Sequence, residues 1–243
     1  MKRTYFFLFM LGLFMFGMNS AHAQLYKEQF NYPAGDSIGA HGWISHGGSN
    51  SPISVATGSL SYLNYPASVG NSAYMGTGSQ DYSALFTTTE LTTGSMYCAM
   101  LVKIDSAKTG GDYFFHTYKT GGSTYFYNRI YVKKASNGNL SFGLLKGATA
   151  NIVWSDSSYL FYDTHVLVLK VEIISGTAND IPSLFIDPVV SATEPAVPTI
   201  TATDIASTDY TGIDRIALRQ GSTSVIPKLT VDEIRVGTSW ADA

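Results

Sequence analysis

No long segment of this chain carries an apolar repeat of 3.6 residues. Short runs rich in β-branched and aromatic residues alternate apolar with polar positions instead, and Gly, Ser and Asn separate them. A surface helix needs the first pattern and a half-buried strand the second, so the chain is restricted to strands packed face to face. The runs predict strands over 25–30, 84–90, 95–104, 113–118, 124–133, 139–145, 151–154, 165–174, 183–186, 215–219 and 229–236. In 165–174, HVLVLKVEII, Leu167, Leu169, Val171 and Ile173 share the core face, while Val166, Val168, Lys170 and Glu172 share the other. The β-branched residues there argue against a helix. Asn137-Gly138, flanked by two such runs, predicts a hairpin with a type I′ turn. Strands at this spacing with no helices between them predict an all-β fold, an antiparallel two-sheet β-sandwich.

The one long irregular stretch is 187–199, with Pro188, Pro195 and Pro198. Only about 45 residues follow it, too few for a second sandwich of about 100 residues. It reads as a loop at the edge of a single domain spanning residues 24–243. The chain is 45% apolar and 14% charged, enough for a real core, which excludes global disorder. Its net charge is −3 and it has no basic run, which argues against a nucleic-acid partner.

Residues 1–23 read as a cleaved secretory signal peptide. Lys2 and Arg3 precede an uncharged, mostly apolar run over 5–18, and Ala21-His22-Ala23 forms a small-x-small cleavage site. As a helix that run would reach about 21 Å, short of a hydrocarbon core of about 30 Å, so a membrane anchor is not expected. No later stretch is long enough to span a membrane. Cleavage leaves 13 basic against 18 acidic residues, a charge of −5, and sends the chain to the periplasm, cell surface or medium. Cys98 is the only cysteine, so no intrachain disulfide forms. It lies in an apolar run and reads as a buried small hydrophobe.

The run Tyr26-Lys27-Glu28-Gln29-Phe30-Asn31-Tyr32-Pro33-Ala34-Gly35, followed by Gly42-Trp43, resembles the opening of concanavalin A-like (laminin-G-like) jelly-roll domains exported by bacteria. The closing Val231-Asp232-Glu233-Ile234-Arg235-Val236-Gly237 is similar to the last strand of that group. Segments 111–116, 140–146 and 217–221 also look like parts of it. The resemblance implies a jelly roll whose first and last strands pair. It further implies a concave sheet where sugars bind, and in some members a structural calcium near the paired termini. It does not imply a particular activity.

Glycosidases of that fold use carboxylates in patterns such as E-x-D-x-x-E, which place acid and nucleophile on one strand face. Glu28, Glu90, Glu172, Glu194 and Glu233 are the only glutamates, and none sits in that pattern. Alginate-lyase relatives are implied to use Arg, Gln, His and Tyr, with Tyr or His abstracting a proton. His116, Arg129, Tyr131 and Arg219 are polar residues in otherwise apolar strands, but the lyase motifs R-x-E-x-R and Q-I-H are missing. These four are therefore candidate ligand contacts rather than catalytic residues. Glu28 and Asp232, on the strands expected to pair, are the candidates for a structural calcium. His41 and His46, five apart in a Gly/Ser stretch, lack an obvious third metal ligand and read as plain loop. Tyr62, Tyr65, Tyr74, Tyr82, Tyr125, Tyr127 and Trp43 each read equally as an exposed sugar-stacking ring or as an ordinary sheet residue. The residues thus favour a non-catalytic module binding polysaccharide or cell-surface glycan. A structural or adhesive module acting through protein contacts is the alternative, and a polysaccharide lyase or glycoside hydrolase comes third.

Overall fold

The computed structural model describes residues 24–76, 78–121, 126–147, 152–204, 206–209, 211–222 and 224–243. Residues 1–23, expected to form a signal peptide, and Tyr125 lie outside the described residues. Two antiparallel sheets pack into a sandwich. The first contains β1 (Gln24–Glu28), β3 (Ser54–Ala56), β4 (Ser72–Met75), β6 (Gly94–Ser106), β11 (Thr164–Ile173), β12 (Ile181–Ile186), β13 (Ile200–Thr201) and β15 (Lys228–Gly237). The second contains β2 (Ile44–Gly47), β5 (Asp81–Leu85), β7 (Asp112–Tyr118), β8 (Tyr127–Lys134), β9 (Leu140–Leu145), β10 (Val153–Trp154) and β14 (Arg215–Leu218). The first sheet runs β13-β12-β11-β6-β15-β4-β3, with β1 also on β15, and the second runs β10-β9-β8-β7-β14-β5-β2.

The period-2 patterns fall as the alternation dictates. Leu167, Leu169, Val171 and Ile173 enter the core between the sheets, with Phe114, Phe115, Phe142, Ile216 and Val231. Val166 and Val168 point the other way, yet they too are buried, in a second apolar cluster with Leu60, Tyr97, Leu101 and Phe185. The Pro-rich segment after β12 supplies part of that cover. Glu194 receives hydrogen bonds from Tyr97 (2.7 Å) and Lys170 (2.9 Å), and Ser191 accepts one from the Trp240 indole (2.9 Å).

Three local expectations are corrected. The turn at Asn137-Gly138 is not type I′, because only Gly138 has positive φ (91°). The Gly138 N–H donates to Ala135 O (3.0 Å) and Ala135 N–H donates to Asn139 O (2.8 Å). This is a three-residue connection, a type I turn ending in a left-handed glycine. The strand expected over 84–90 ends at Leu85. The Thr87 hydroxyl both accepts from Thr89 N–H (3.2 Å) and donates to Thr89 O (3.0 Å), and this local loop overrides β-propensity. His46 is not in a loop but in β2.

The strand β15 changes partner halfway. Its outer edge pairs with β4 over Leu229–Val231 and with β1 over Ile234–Gly237, and its ladder to β6 breaks between Asp232 and Arg235. At that break Glu233 takes a left-handed φ of 48°. The first and last described strands are therefore neighbours, as the resemblance implied.

Candidate functional site

The outer face of the second sheet carries a row of rings. Tyr113 on β7 pairs with Tyr131 on β8, Tyr131 with Gly143 on β9, and Gly143 with Trp154 on β10. In register, they face the same side of the sheet. Ring centroids of Tyr113 and Tyr131 are 5.3 Å apart, and those of Tyr131 and Trp154 are 6.2 Å apart. Gly143 is what lets Trp154 lie across β9, since a Cβ there would come within 2.8 Å of the indole.

Cations sit on this row. The Arg219 guanidinium lies 3.8 Å from the Tyr113 ring centre and that of Arg129 lies 5.2 Å from it, so two positive groups neighbour this ring. The Lys133 ammonium is 4.0 Å from the Trp154 ring centre. Such contacts pin long side chains that would otherwise be mobile. Arg219 is also fixed by donating to Asp112 (2.9 Å) and to the Tyr113 carbonyl (3.0 Å), and Arg129 donates to the Gly147 carbonyl. Beyond Trp154 the row opens into a groove of about 450 Å³, lined by Thr109, Lys133, Ser141, Trp154, Ser155 and Asp156.

Of the four expected ligand contacts, the structure brings Arg129, Tyr131 and Arg219 together around Tyr113. His116 is on the same sheet but has no exposed surface. Phe126 covers it at 4.3 Å between ring centres, and His46 meets it edge-on at 5.5 Å. Burial pulls the His116 imidazole down to a pKa of about 3, against the hydrogen bond to Thr117 O, so it is neutral at pH 7. Burial pushes the Tyr113 and Tyr131 phenols up, and the nearby arginines only partly offset this. A general base works best with a pKa near the working pH, and these groups are displaced away from it in both directions.

Tyr113, Lys133 and Trp154 do not stand out in the sequence. Their signal exists only in the pairing register, which sets Tyr113 opposite Tyr131 and a glycine beneath the indole. Trp43 and Tyr82, two of the rings considered for sugar stacking, are core residues with 3% and 4% exposure.

Glu28 and Asp232 lie on adjacent parts of β1 and β15, and both are buried and accept hydrogen bonds from the protein. Glu28 accepts hydrogen bonds from Phe30 N–H (2.7 Å), Trp43 Nε1–H (3.0 Å), Tyr32 O–H (3.0 Å) and Tyr26 O–H (3.2 Å). Asp232 accepts from the backbone N–H groups of Leu60 (2.8 Å) and Glu233 (2.7 Å). Burial raises its pKa to about 7, with the Glu233 and Glu28 carboxylates adding to the effect. Among the described residues, no group of three or more His, Cys, Asp and Glu is arranged to hold a metal. The melting temperature is therefore expected to be the same with and without EDTA, measured by calorimetry. A drop of several degrees in EDTA would contradict this account of the two carboxylates. His41, for its part, pairs with Asp36 (2.9 Å) and stacks on Tyr32 at 4.0 Å.

Fold and face together define an antiparallel β-sandwich with a cation-bracketed aromatic row on one sheet. No family model matches the chain, and no curated protein matches it in sequence. Among solved structures it is similar to a conserved carbohydrate esterase, vb_24B_21, from Shiga toxin-encoding bacteriophage phi24B. That likeness has a TM-score of 0.51 at 14% identity, covering 90% of this chain and 99% of that one. A variant of alginate lyase Aly36B in complex with alginate tetrasaccharide gives 0.49 at 12% identity, covering 88% and 95%. The CBM2 module of Lactobacillus casei BL23 phage J-1 evolved Dit gives 0.46 at 13% identity, covering 91% and 98%. At such identities the likeness shows the fold alone. Among the described residues no helix is long and apolar enough to cross a membrane.

Proposed function

We propose that this is an exported, non-catalytic module that binds acidic polysaccharide on the outer face of its second sheet. The observation that carries the reading is the row Tyr113–Tyr131–Trp154 with Arg219, Arg129 and Lys133 laid against its rings. Aromatic faces stack on the apolar faces of sugar rings, and pinned cations select carboxylated over neutral sugars. The positive groups stand out against a chain whose net charge is −3, so they focus anionic ligands locally. A phage carbohydrate esterase has a similar fold, which agrees with the reading without carrying it. Catalysis is left out because the phenols and the imidazole of this face are tuned away from proton abstraction.

Affinity electrophoresis tests this with gels containing alginate or polygalacturonate, and a neutral β-glucan as control. The wild-type protein is expected to be retarded in the acidic gels, less so at high salt. Arg219→Gln is expected to bind about ten-fold more weakly, roughly 1.4 kcal/mol. Equal mobility in acidic and control gels, or an unchanged Arg219→Gln, would refute the assignment. Incubation with the same polymers is expected to yield no unsaturated-uronate absorbance.

A further inference from the structure

His116 presents a buried atom with no hydrogen-bond partner among the described residues. Its Nδ1 lies 3.0 Å from the Thr117 carbonyl oxygen, which can only accept, so in the neutral ring Nδ1 carries the proton. Nε2 is then a bare lone pair, buried and unbonded. An unpaired buried acceptor costs about 1–3 kcal/mol, so such an atom calls for a donor.

Three rings close over it. Phe126 is nearest at 4.3 Å, His46 is at 5.5 Å and Tyr118 at 6.1 Å. Phe126 precedes β8, outside its ladder, and its residue is only partly buried. On the other side Tyr113 lies 6.1 Å from the His116 ring, and this is the ring that Arg129 and Arg219 neighbour. The buried imidazole and the Tyr113 ring are thus neighbours, and Phe126 is the ring packed most closely on the imidazole.

We infer that Phe126 is a displaceable cover, and that the space under it is a second glycan subsite. When the ring swings out, a sugar hydroxyl donates to His116 Nε2 while a carboxylate of the adjoining sugar meets the guanidiniums beside Tyr113. A hydroxyl is the ligand group this atom selects. A carboxylate has no proton to give, and a cation is opposed by the positive charge of Arg219 and Arg129 near the imidazole. This rests on the glycan reading of the same face and adds to it a cryptic subsite that the closed face conceals.

Calorimetric titration with alginate tetrasaccharide tests it on the wild type, Arg219→Gln, Phe126→Ala and Phe126→Ala/His116→Phe. Phe126→Ala is expected to bind about five- to ten-fold tighter, because the competent open state no longer has to be populated against the ring. The double variant is expected to lose that gain. In the wild type, the ¹⁵N resonance of His116 Nε2 is expected to move upfield on saturation as its lone pair accepts a hydrogen bond. That measurement decides the matter if the double variant does not fold. Suppose instead that the wild type binds and Arg219→Gln weakens it, but Phe126→Ala is no tighter and the Nε2 resonance stays fixed. The subsite is then overturned while the glycan face stands. If neither the wild type nor Phe126→Ala binds the tetrasaccharide, the glycan face and the subsite fall together.

Discussion

Replacing Glu28 by Ala is expected to cost about 3–5 kcal/mol of stability, read from urea unfolding, because several buried donors lose their acceptor together. Its carboxylate is the common acceptor for four donors, including the indole of Trp43, which is 3% exposed. Removing a partner so that buried donors go unsatisfied costs about 1–3 kcal/mol for each strongly buried group. Here at least the Trp43 N–H and the Phe30 N–H would be stranded. Phe30 also holds a left-handed φ of 47°, rare for a bulky residue and sustained only where its surroundings over-determine it. The Glu28 bond to its amide is one of those restraints. Glu28→Gln keeps one acceptor oxygen and is expected to fall between Ala and wild type. A loss under about 1 kcal/mol for Glu28→Ala, less than one stranded donor, would show that this hydrogen-bonded knot does not hold the β1–β15 junction.

The second large effect is on stability against pH, where two buried groups oppose each other. The folded pKa of His116 is about 3, below its ordinary 6.5, because burial disfavours the imidazolium. Its contribution is present above pH 6.5 and is lost as the pH falls toward 3, since the unfolded chain then binds the proton the folded chain refuses. His46 is lowered by burial too and acts in the same direction. The folded pKa of Asp232 is about 7, above its ordinary 3.8, again through burial. Its contribution is present below pH 3.8 and is lost as the pH rises through 7. Asp81 and Asp180, raised by burial, act with Asp232. So does His165, where hydrogen bonds to Asp187 and Leu160 outweigh the lowering effect of burial.

A tenfold change in proton affinity corresponds to about 1.4 kcal/mol, so each of the two leading groups commands several kcal/mol, and they largely cancel between about pH 4 and 6.5. The wild-type profile is expected to be flat there. Asp232→Asn is expected to tilt it so that stability climbs with pH, and His116→Phe to tilt it the opposite way. The slope is the observable, since either substitution also moves the whole curve by altering hydrogen bonds. Denaturant titrations at closely spaced pH values check it. Parallel profiles for wild type and both variants would sink the assignment of these two groups.

The sandwich itself was legible in the chain because period-2 alternation is set by local chemistry, as in Leu167 to Ile173. The strands that escaped notice, β2, β3, β4 and β13, are two to four residues long; the first three sit among Ser and Gly, and β13 follows Pro198. They exist because longer neighbours offer an edge, which no local window records. Three of the four candidate contacts meet on one face, since polar residues in apolar strands tend to mark the outward side. The partners that complete the face were invisible for a different reason. Tyr113, Trp154 and the Gly143 beneath it become neighbours only through cross-strand register. Nor could the sequence show that His116 is roofed by Phe126, a contact between separate segments. The carboxylates expected to be calcium ligands show the same limit. A motif places Glu28 and Asp232 at the terminal strands, but only the folded chain reveals which N–H and O–H donors bond to their oxygens.

The most direct measurement is backbone chemical-shift mapping during titration of the wild-type protein with alginate tetrasaccharide. The account predicts that perturbations concentrate on β7, β8 and the residue after β14, at Tyr113, Arg129, Tyr131 and Arg219, and extend to Trp154. Shifts confined to the opposite sheet around Trp240, or none at saturating sugar, would contradict it.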